Sequence, residues 1–261
     1  MISLANKILG ATSKKTHLFF VGQAGFVVKN KNGALFAIDL YLSDCVERIE
    51  GNIGFKRMQP KILDATDLEF NVLVTTHPHV DHFDIDSVPI LMSNNRTKLF
   101  ASVDCEKDVK RLQMNSDRIS FVTPGDCYSD DNFDISFINC DHGTGAPDAF
   151  GVILTVDSVR ICFVGDSCLR LDRVDEYLSQ GAIDVLIAPI NGAYGNLDEQ
   201  ECAQLSNAIN SKLTIPCHFG MFAAHGGNPN EFIRIMNHDY PKQKYLLMTP
   251  GEGIVLIQEE K

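Results

Sequence analysis

The sequence predicts an α/β fold, a four-layer αββα sandwich of two mixed β-sheets with external helices. Two series of apolar runs of strand length follow one another along the chain. Each series opens with closely spaced runs of the kind that form hairpins, and each continues with runs that alternate with helical patterns. This order fits two packed mixed sheets better than one doubly wound parallel sheet.

The strand-like runs of the first series are HLFFVGQAGFVVKN (17–30), ALFAIDLYL (34–42), FNVLVTTH (70–77), KLFASV (98–103), ISFVTPG (119–125) and FDISFINC (133–140). Those of the second series are GVILTVDSVRICFVGDS (151–167), IDVLIAPING (183–192), LTIPCHFG (213–220) and YLLMTPGEGIVLI (245–257). Helical patterns occupy 84–94, 105–114, 169–181, 197–210 and 228–238.

Length and composition indicate one domain over residues 1–261, because 44% of the residues are hydrophobic and no linker-like tract divides the chain. The first twenty residues lack a continuous apolar segment with a cleavage site, and no apolar run is long enough to span a membrane. Eight cysteines without a CxxC pair suggest reduced thiols, most of them core residues. We therefore expect a cytoplasmic protein with no membrane partner.

The net charge of −11 predicts a small-molecule substrate. A negative field repels polyanions, and the sequence has no long basic strip to overcome it, so we expect no nucleic-acid partner. Homo-oligomer formation is left open.

The segment HPHVDH (77–82) predicts a metal site. It places His77, His79, Asp81 and His82 in a tight loop after a buried strand, where two side chains face one point and two face another. A solvated polar loop is the alternative, but four ligand-type residues rarely coincide at this spacing. The arrangement suits two ions, and imidazole and carboxylate ligands without a thiolate favour divalent zinc, manganese or iron.

Three further candidates follow apolar strands elsewhere in the chain: His142, Asp166 and His218. Taken alone, each is better explained as a turn or cap residue. Together with the HPHVDH loop they complete two ligand sets, and the two carboxylate oxygens of Asp166 can bridge two ions. Asp39, another acid at a strand end, either supports the metal loop by a hydrogen bond or caps a turn.

With these residues the sequence resembles the metallo-β-lactamase superfamily over most of its length. The resemblance implies the metallo-β-lactamase fold, with one ion held by His77, His79 and His142, a second by Asp81, His82 and His218, and Asp166 between them. The segments GQAGFVVK, IDLYLSD, GFKRMQP, TPGD, GDS, PINGAYGN and PCHFGMFAAHGG are similar to the branch that includes the L-ascorbate-6-phosphate lactonases. Better-known members of that branch are longer than this chain.

The metal site predicts a metal-dependent hydrolase that uses a dinuclear metal-bound hydroxide. The leading prediction is a lactonase that opens a small, phosphorylated or unphosphorylated sugar-acid lactone such as L-ascorbate 6-phosphate. The alternatives are a phosphodiesterase for cyclic nucleotides or short phosphodiesters, and a non-catalytic metal-binding protein on the same fold. Superfamily members that reduce dioxygen or nitric oxide at iron usually carry an acidic residue in place of His79, so manganese or zinc is expected before iron.

Catalytic roles are predicted for Asp81, Asp166, Tyr194 and His225, and substrate contacts for Lys56, Arg57, Asn191 and Tyr194. Tyr194 or Asn191 would donate a hydrogen bond to a carbonyl oxygen from the glycine-rich segment PINGAYGN. Lys56 and Arg57 would bind a phosphate group. An Asn/Gly turn explains the PINGAYGN segment equally well. A surface loop is the more common setting for a histidine such as His225, and solvated charges are the more common role for cations such as Lys56 and Arg57.

Overall fold

Two β-sheets lie face to face in the computed structural model, which describes residues 2–12, 14–51 and 53–256. The strands of the described residues are β1 (Thr16–Gly22), β2 (Gly25–Lys29), β3 (Leu35–Ile38), β4 (Val72–Thr75), β5 (Lys98–Ser102), β6 (Ile119–Val122), β7 (Cys127–Ser129), β8 (Asp134–Asn139), β9 (Phe150–Val156), β10 (Val159–Phe163), β11 (Val185–Pro189), β12 (Leu213–Cys217) and β13 (Gly253–Leu256).

Each sheet combines antiparallel and parallel pairing. The first has the strand order β13-β1-β2-β3-β4-β5-β6, antiparallel up to β3 and parallel from β3 to β6. The second has the order β12-β11-β10-β9-β8-β7, parallel from β12 to β10 and antiparallel from β10 to β7. The predicted hairpins and strand-helix alternation are confirmed, but the run 133–140 of the first series forms β8 of the second sheet, and the last strand returns to the first sheet beside β1.

Helices cover the outer faces of both sheets. They are α1 (Leu4–Gly10), α2 (Cys45–Glu50), α3 (Val88–Leu91), α4 (Glu106–Arg111), α5 (Val174–Leu178), α6 (Glu199–Ile209) and α7 (Pro229–Asp239), with 3-10 turns at Val103–Cys105, Ser116–Arg118, Leu171–Arg173 and Ala223–His225. None of the helices among the described residues has the length and apolar character that crossing a bilayer requires.

The alternation of side chains along the strands creates three apolar layers. In β4, Val72 and Val74 pack into the core between the sheets, whereas Leu73 packs against the helices outside the first sheet. In β11, Ile187 points into the same central core and Leu186 into the core beneath the helices of the second sheet. Successive side chains of a strand point to opposite faces, so these strands bury both faces and appear as continuous apolar runs. The predicted four-layer sandwich is confirmed.

The structure differs from the sequence pattern at several elements. The helices α1 and α2 have seven and six residues, fewer than two full turns, so they leave little periodicity to detect. The pattern at 84–94 yields only the four-residue α3. The run 245–248 is not a strand, although the Leu246 N–H donates to the carbonyl of Thr214 in β12. The next ladder bond would need an N–H at Pro216, which proline lacks. Residue 257, also predicted as strand, lies outside the described residues.

Candidate metal centre

The site forms where strands of the two sheets end at one edge. His77 follows β4, and Asp39 follows β3, which runs parallel to β4 in the first sheet. In the second sheet, His142, Asp166 and His218 follow β8, β10 and β12, which all run in one direction. Polar side chains that follow such strands meet at one rim of the sandwich, as in other α/β proteins.

Three histidines converge at one end of the site. The Nδ1 atom of His79 lies 2.9 Å from Nε2 of His77 and 3.0 Å from Nε2 of His142. Burial lowers the pKa of all three imidazoles below the ordinary value of 6.5, so they are neutral and each has a nitrogen lone pair at neutral pH. Three lone pairs at this spacing form a candidate ligand set for a divalent ion.

Two aspartates and two histidines form the adjoining part of the site. Nε2 of His218 lies 3.1 Å from Asp166 Oδ2 and 3.3 Å from Asp81 Oδ2, while Nε2 of His82 lies 3.4 Å from Asp166 Oδ1. Asp166 also faces the first group, with Oδ2 3.9 Å from Nε2 of His142. The carboxylate of Asp166 therefore lies between the two groups, and both of its oxygens have a ligand-type neighbour.

The electrostatics of this part of the site fit a bound cation. Burial favours protonation of Asp81 and Asp166, but the neighbouring His82 and His218 hold the pKa of both carboxyl groups well below the ordinary value. Burial also opposes a charged imidazole, yet Asp166 raises the pKa of His218 to about 9. The buried carboxylates thus require nearby positive charge. Divalent ions supply it when the imidazoles act as neutral ligands, with release of their protons.

Hydrogen bonds behind the ligands fix the rings of His77 and His82. Asp39 accepts from the Thr76 backbone N–H at 2.8 Å and from the Thr76 hydroxyl at 2.7 Å. Its Oδ2 also lies 2.9 Å from Nδ1 of His82, and the Thr76 oxygen lies 3.1 Å from Nδ1 of His77. Each Nδ1 therefore carries a proton, which leaves Nε2 as the ligand atom: in His77 it has its lone pair, and in His82 it gains one when it gives up its proton to a bound ion. Of the two roles predicted for Asp39, support of the metal loop is the one observed.

Gln23 is a site residue that sequence analysis does not assign. It follows β1, is fully buried, and has the left-handed backbone angle φ of 56°. Its Nε2 atom lies 2.8 Å from Asp81 Oδ2 and 2.9 Å from His225 Nδ1. Because an amide N–H donates to both, His225 carries its own proton on Nε2. In the sequence, the only feature that marks Gln23 is that it is an amide residue in an otherwise apolar hairpin. A turn at this position accounts for that feature equally well.

Cysteine thiols do not belong to the ligand set. The Cys140 Sγ atom donates to the Asp166 carbonyl at 3.0 Å, and burial raises the pKa of this thiol above its ordinary value. Cys217 is buried as well, and burial raises its pKa in the same direction. Protonated thiols are poor metal ligands, so nitrogen and oxygen atoms stay the expected donors. These donors fit zinc or manganese.

A cavity of about 300 Å³ opens over the metal ligands. Tyr194 and His225 line it together with His79, Asp81, His142, Asp166 and His218. The ring of His225 stacks on that of His218 with a centroid distance of 4.9 Å, and the Tyr194 ring lies 5.4 Å from His225. Burial lowers the pKa of His225 to about 4, so its Nε2–H remains a neutral donor at neutral pH.

The remaining predicted contact residues lie away from the cavity wall. Asn191 is buried and accepts from Asn196, whose amide also donates to Asp166 at 2.8 Å. Lys56 is exposed and does not line the cavity. The Arg57 guanidinium donates to the Tyr41 and Ser43 carbonyls at 2.9 and 2.8 Å. The substrate contacts predicted for these residues stay predictions.

The chain is similar to known proteins over most of its length. Residues 17–218 match the model of the beta-lactamase superfamily domain. A UPF0173 metal-dependent hydrolase of Sulfolobus acidocaldarius is 24% identical over 226 residues, which cover 84% of this chain and 96% of that protein. The metallo hydrolase Igni18 of Ignicoccus hospitalis has a similar structure, with a TM-score of 0.73, 20% identity, and coverage of 94% of this chain and 100% of that one. The metallo-beta-lactamase fold protein YhfI of Bacillus subtilis is also similar in structure, with a TM-score of 0.68 and 13% identity. The match covers 93% of this chain and 100% of that one.

Proposed function

The chain belongs to the metallo-β-lactamase superfamily and is a metal-dependent hydrolase of it, and from this premise we propose that it opens small lactones at a dinuclear site. The observation that carries the proposal is a pair of adjoining candidate ligand groups under one cavity, with the Asp166 carboxylate between them. His77, His79 and His142 would hold one ion, and Asp81, His82 and His218 the other. Divalent ions bound there make water nucleophilic at neutral pH and polarise a carbonyl oxygen.

The side chains around the ligands orient the reacting groups. Tyr194 and the Nε2–H of His225 are donors at the cavity and would hold the carbonyl oxygen of a lactone. Gln23 keeps that imidazole in the tautomer which donates toward the cavity. Water adds to the acyl carbon, the bond from that carbon to the ring oxygen breaks, and the ring oxygen takes a proton. The product is a hydroxy acid.

The features of the cavity favour a lactone over a phosphodiester. Among the cavity-lining residues that the structure describes, there is no lysine or arginine to bind the charged oxygens of a phosphoryl group. A lactone carbonyl is uncharged and needs only a donor or a Lewis acid. The complete ligand set counts against the non-catalytic alternative.

A substrate screen with a ligand variant tests this function. We expect acid release from lactones by protein supplied with manganese or zinc, without phosphate-ester cleavage. His79→Ala removes a nitrogen donor, so metal content should fall and turnover should drop to background, whereas His238→Ala at an exposed histidine outside the site should change neither. Turnover of phosphodiesters but not of lactones would contradict the proposed lactonase function and support the phosphodiesterase alternative. A fully loaded and active His79→Ala variant would refute the site.

A further inference from the structure

The wall of the cavity beyond the candidate metal ligands is mostly apolar. Its members outside the ligand set and His225 are Val46, Glu50, Phe55, Pro78, Val80 and Tyr194. The Phe55 ring lies edge-on to His225, with a centroid distance of 5.9 Å, and 6.4 Å from the ring of Phe222 in the core behind it. This contact holds an aromatic surface next to the reacting centre.

The charge on this wall is negative. Glu50, at the end of α2, is exposed and is the only charged residue of the described cavity wall outside the ligand set. The nearby Arg57 is bound to backbone carbonyls and lies 3.4 Å from Asp44, and Arg48 pairs with Asp86 at 2.8 Å. A substrate with a phosphate or carboxylate substituent would therefore meet a carboxylate and no cation on the wall.

We propose that the substituent of the substrate is an uncharged alkyl or aryl group that binds between Phe55, Val80 and Tyr194, and that phosphorylated lactones are poor substrates. This inference rests on the proposed lactonase function and narrows its substrate class. Burial of apolar surface supplies the affinity, and Glu50 disfavours anions by like-charge repulsion. The cavity volume of about 300 Å³ suits a short substituent, since it is at the lower end of ordinary ligand pockets.

The first test uses the unaltered, metal-loaded protein and γ-butyrolactones with side chains from methyl to hexyl. We expect kcat/KM to rise about threefold to fourfold per methylene until the cavity is filled. A lactone with a phosphomethyl side chain should be slower than its methyl counterpart. A flat chain-length series, or preference for the phosphorylated lactone, would overturn the proposal and leave the lactonase function intact.

Two variants and a matched control locate the effect. Phe55→Ser removes the aromatic wall and should flatten the chain-length series, whereas Met58→Ser should not, because Met58 is an exposed apolar residue of the same loop that does not line the cavity. Glu50→Gln should raise kcat/KM for the phosphorylated lactone about twofold to fivefold relative to kcat/KM for the methyl lactone. Equal effects on both lactones would contradict the role of Glu50.

A binding measurement separates this proposal from the reaction. Calorimetric titration of the metal-loaded protein with 2-alkylcyclopentanones, which cannot be hydrolysed, should give affinities that rise with chain length and fall in Phe55→Ser. If these ketones bind with that trend while no lactone is opened, the apolar pocket stands and the lactonase function fails. If affinity does not depend on chain length, the apolar pocket itself is refuted.

Discussion

Individual residues of the centre differ in how far sequence could identify them. The sequence identifies the ligand-type residues of the HPHVDH segment, because four such side chains within six residues form a local signal. These residues are His77, His79, Asp81 and His82. Gln23 is not identified in this way, because its role depends on contacts with Asp81 and with a histidine that lies 202 positions away along the chain. Such a contact is set by the packing of the two sheets and leaves no trace in the spacing of residues.

Replacement of Gln23 tests whether its amide holds the site together. Gln23→Leu keeps most of the side-chain volume and removes the donor to Asp81 Oδ2. We expect metal affinity to fall by about 10- to 100-fold, as is usual when the hydrogen-bond partner of a ligand is lost. Competition with a chromophoric chelator measures the change, with the exposed Gln180→Leu as control. Unchanged affinity would show that Gln23 acts on packing alone.

At the level of elements, the site depends on the ends of strands that run in one direction. The turn after β3 and the loop after β4 are joined by Asp39, which has the left-handed φ of 48° and accepts both hydrogen bonds of Thr76. A non-glycine residue keeps that conformation only when its surroundings compensate the strain. Sequence placed Asp39 at a strand end, but it could not decide between a turn cap and support of the loop, since that requires knowing that β3 and β4 are neighbours.

Removal of the charge at this junction should weaken both the loop and the metal site. The Asp39 carboxylate accepts from the Thr76 backbone N–H, and its Oδ2 lies 2.9 Å from Nδ1 of His82. Asp39→Asn replaces this carboxylate by an uncharged amide. We expect a loss of about 1–3 kcal/mol from the free energy of unfolding of the metal-free protein, together with weaker metal binding. Urea unfolding and metal titration measure the two effects, with the exposed Asp131→Asn as reference. If the variant has the same free energy of unfolding as the unaltered protein, the hydrogen bonds of Asp39 do not contribute to stability.

For the whole molecule, the sequence was sufficient to predict the four layers but not all of the strand pairing within the sheets. Two successive series of apolar runs, each with hairpin-like spacing first and strand-helix alternation afterwards, are why the sandwich could be predicted. The return of β13 to the first sheet was beyond sequence, since pairing of β13 with β1 joins residues from opposite ends of the chain. Pro216 similarly ends a ladder at a place that an apolar run alone does not reveal.

The central claim is that the sheet ends assemble two adjoining ion sites, and the number of ions per chain tests it most directly. Purified protein supplied with manganese or zinc should bind about two divalent ions per chain, as a pair of ligand groups bridged by one carboxylate requires. Asp166→Ala should reduce this number, because both groups face the Asp166 carboxylate, through His142 at 3.9 Å and His218 at 3.1 Å. A protein that stays metal-free after reloading, or that binds ions equally well without Asp166, would contradict the account.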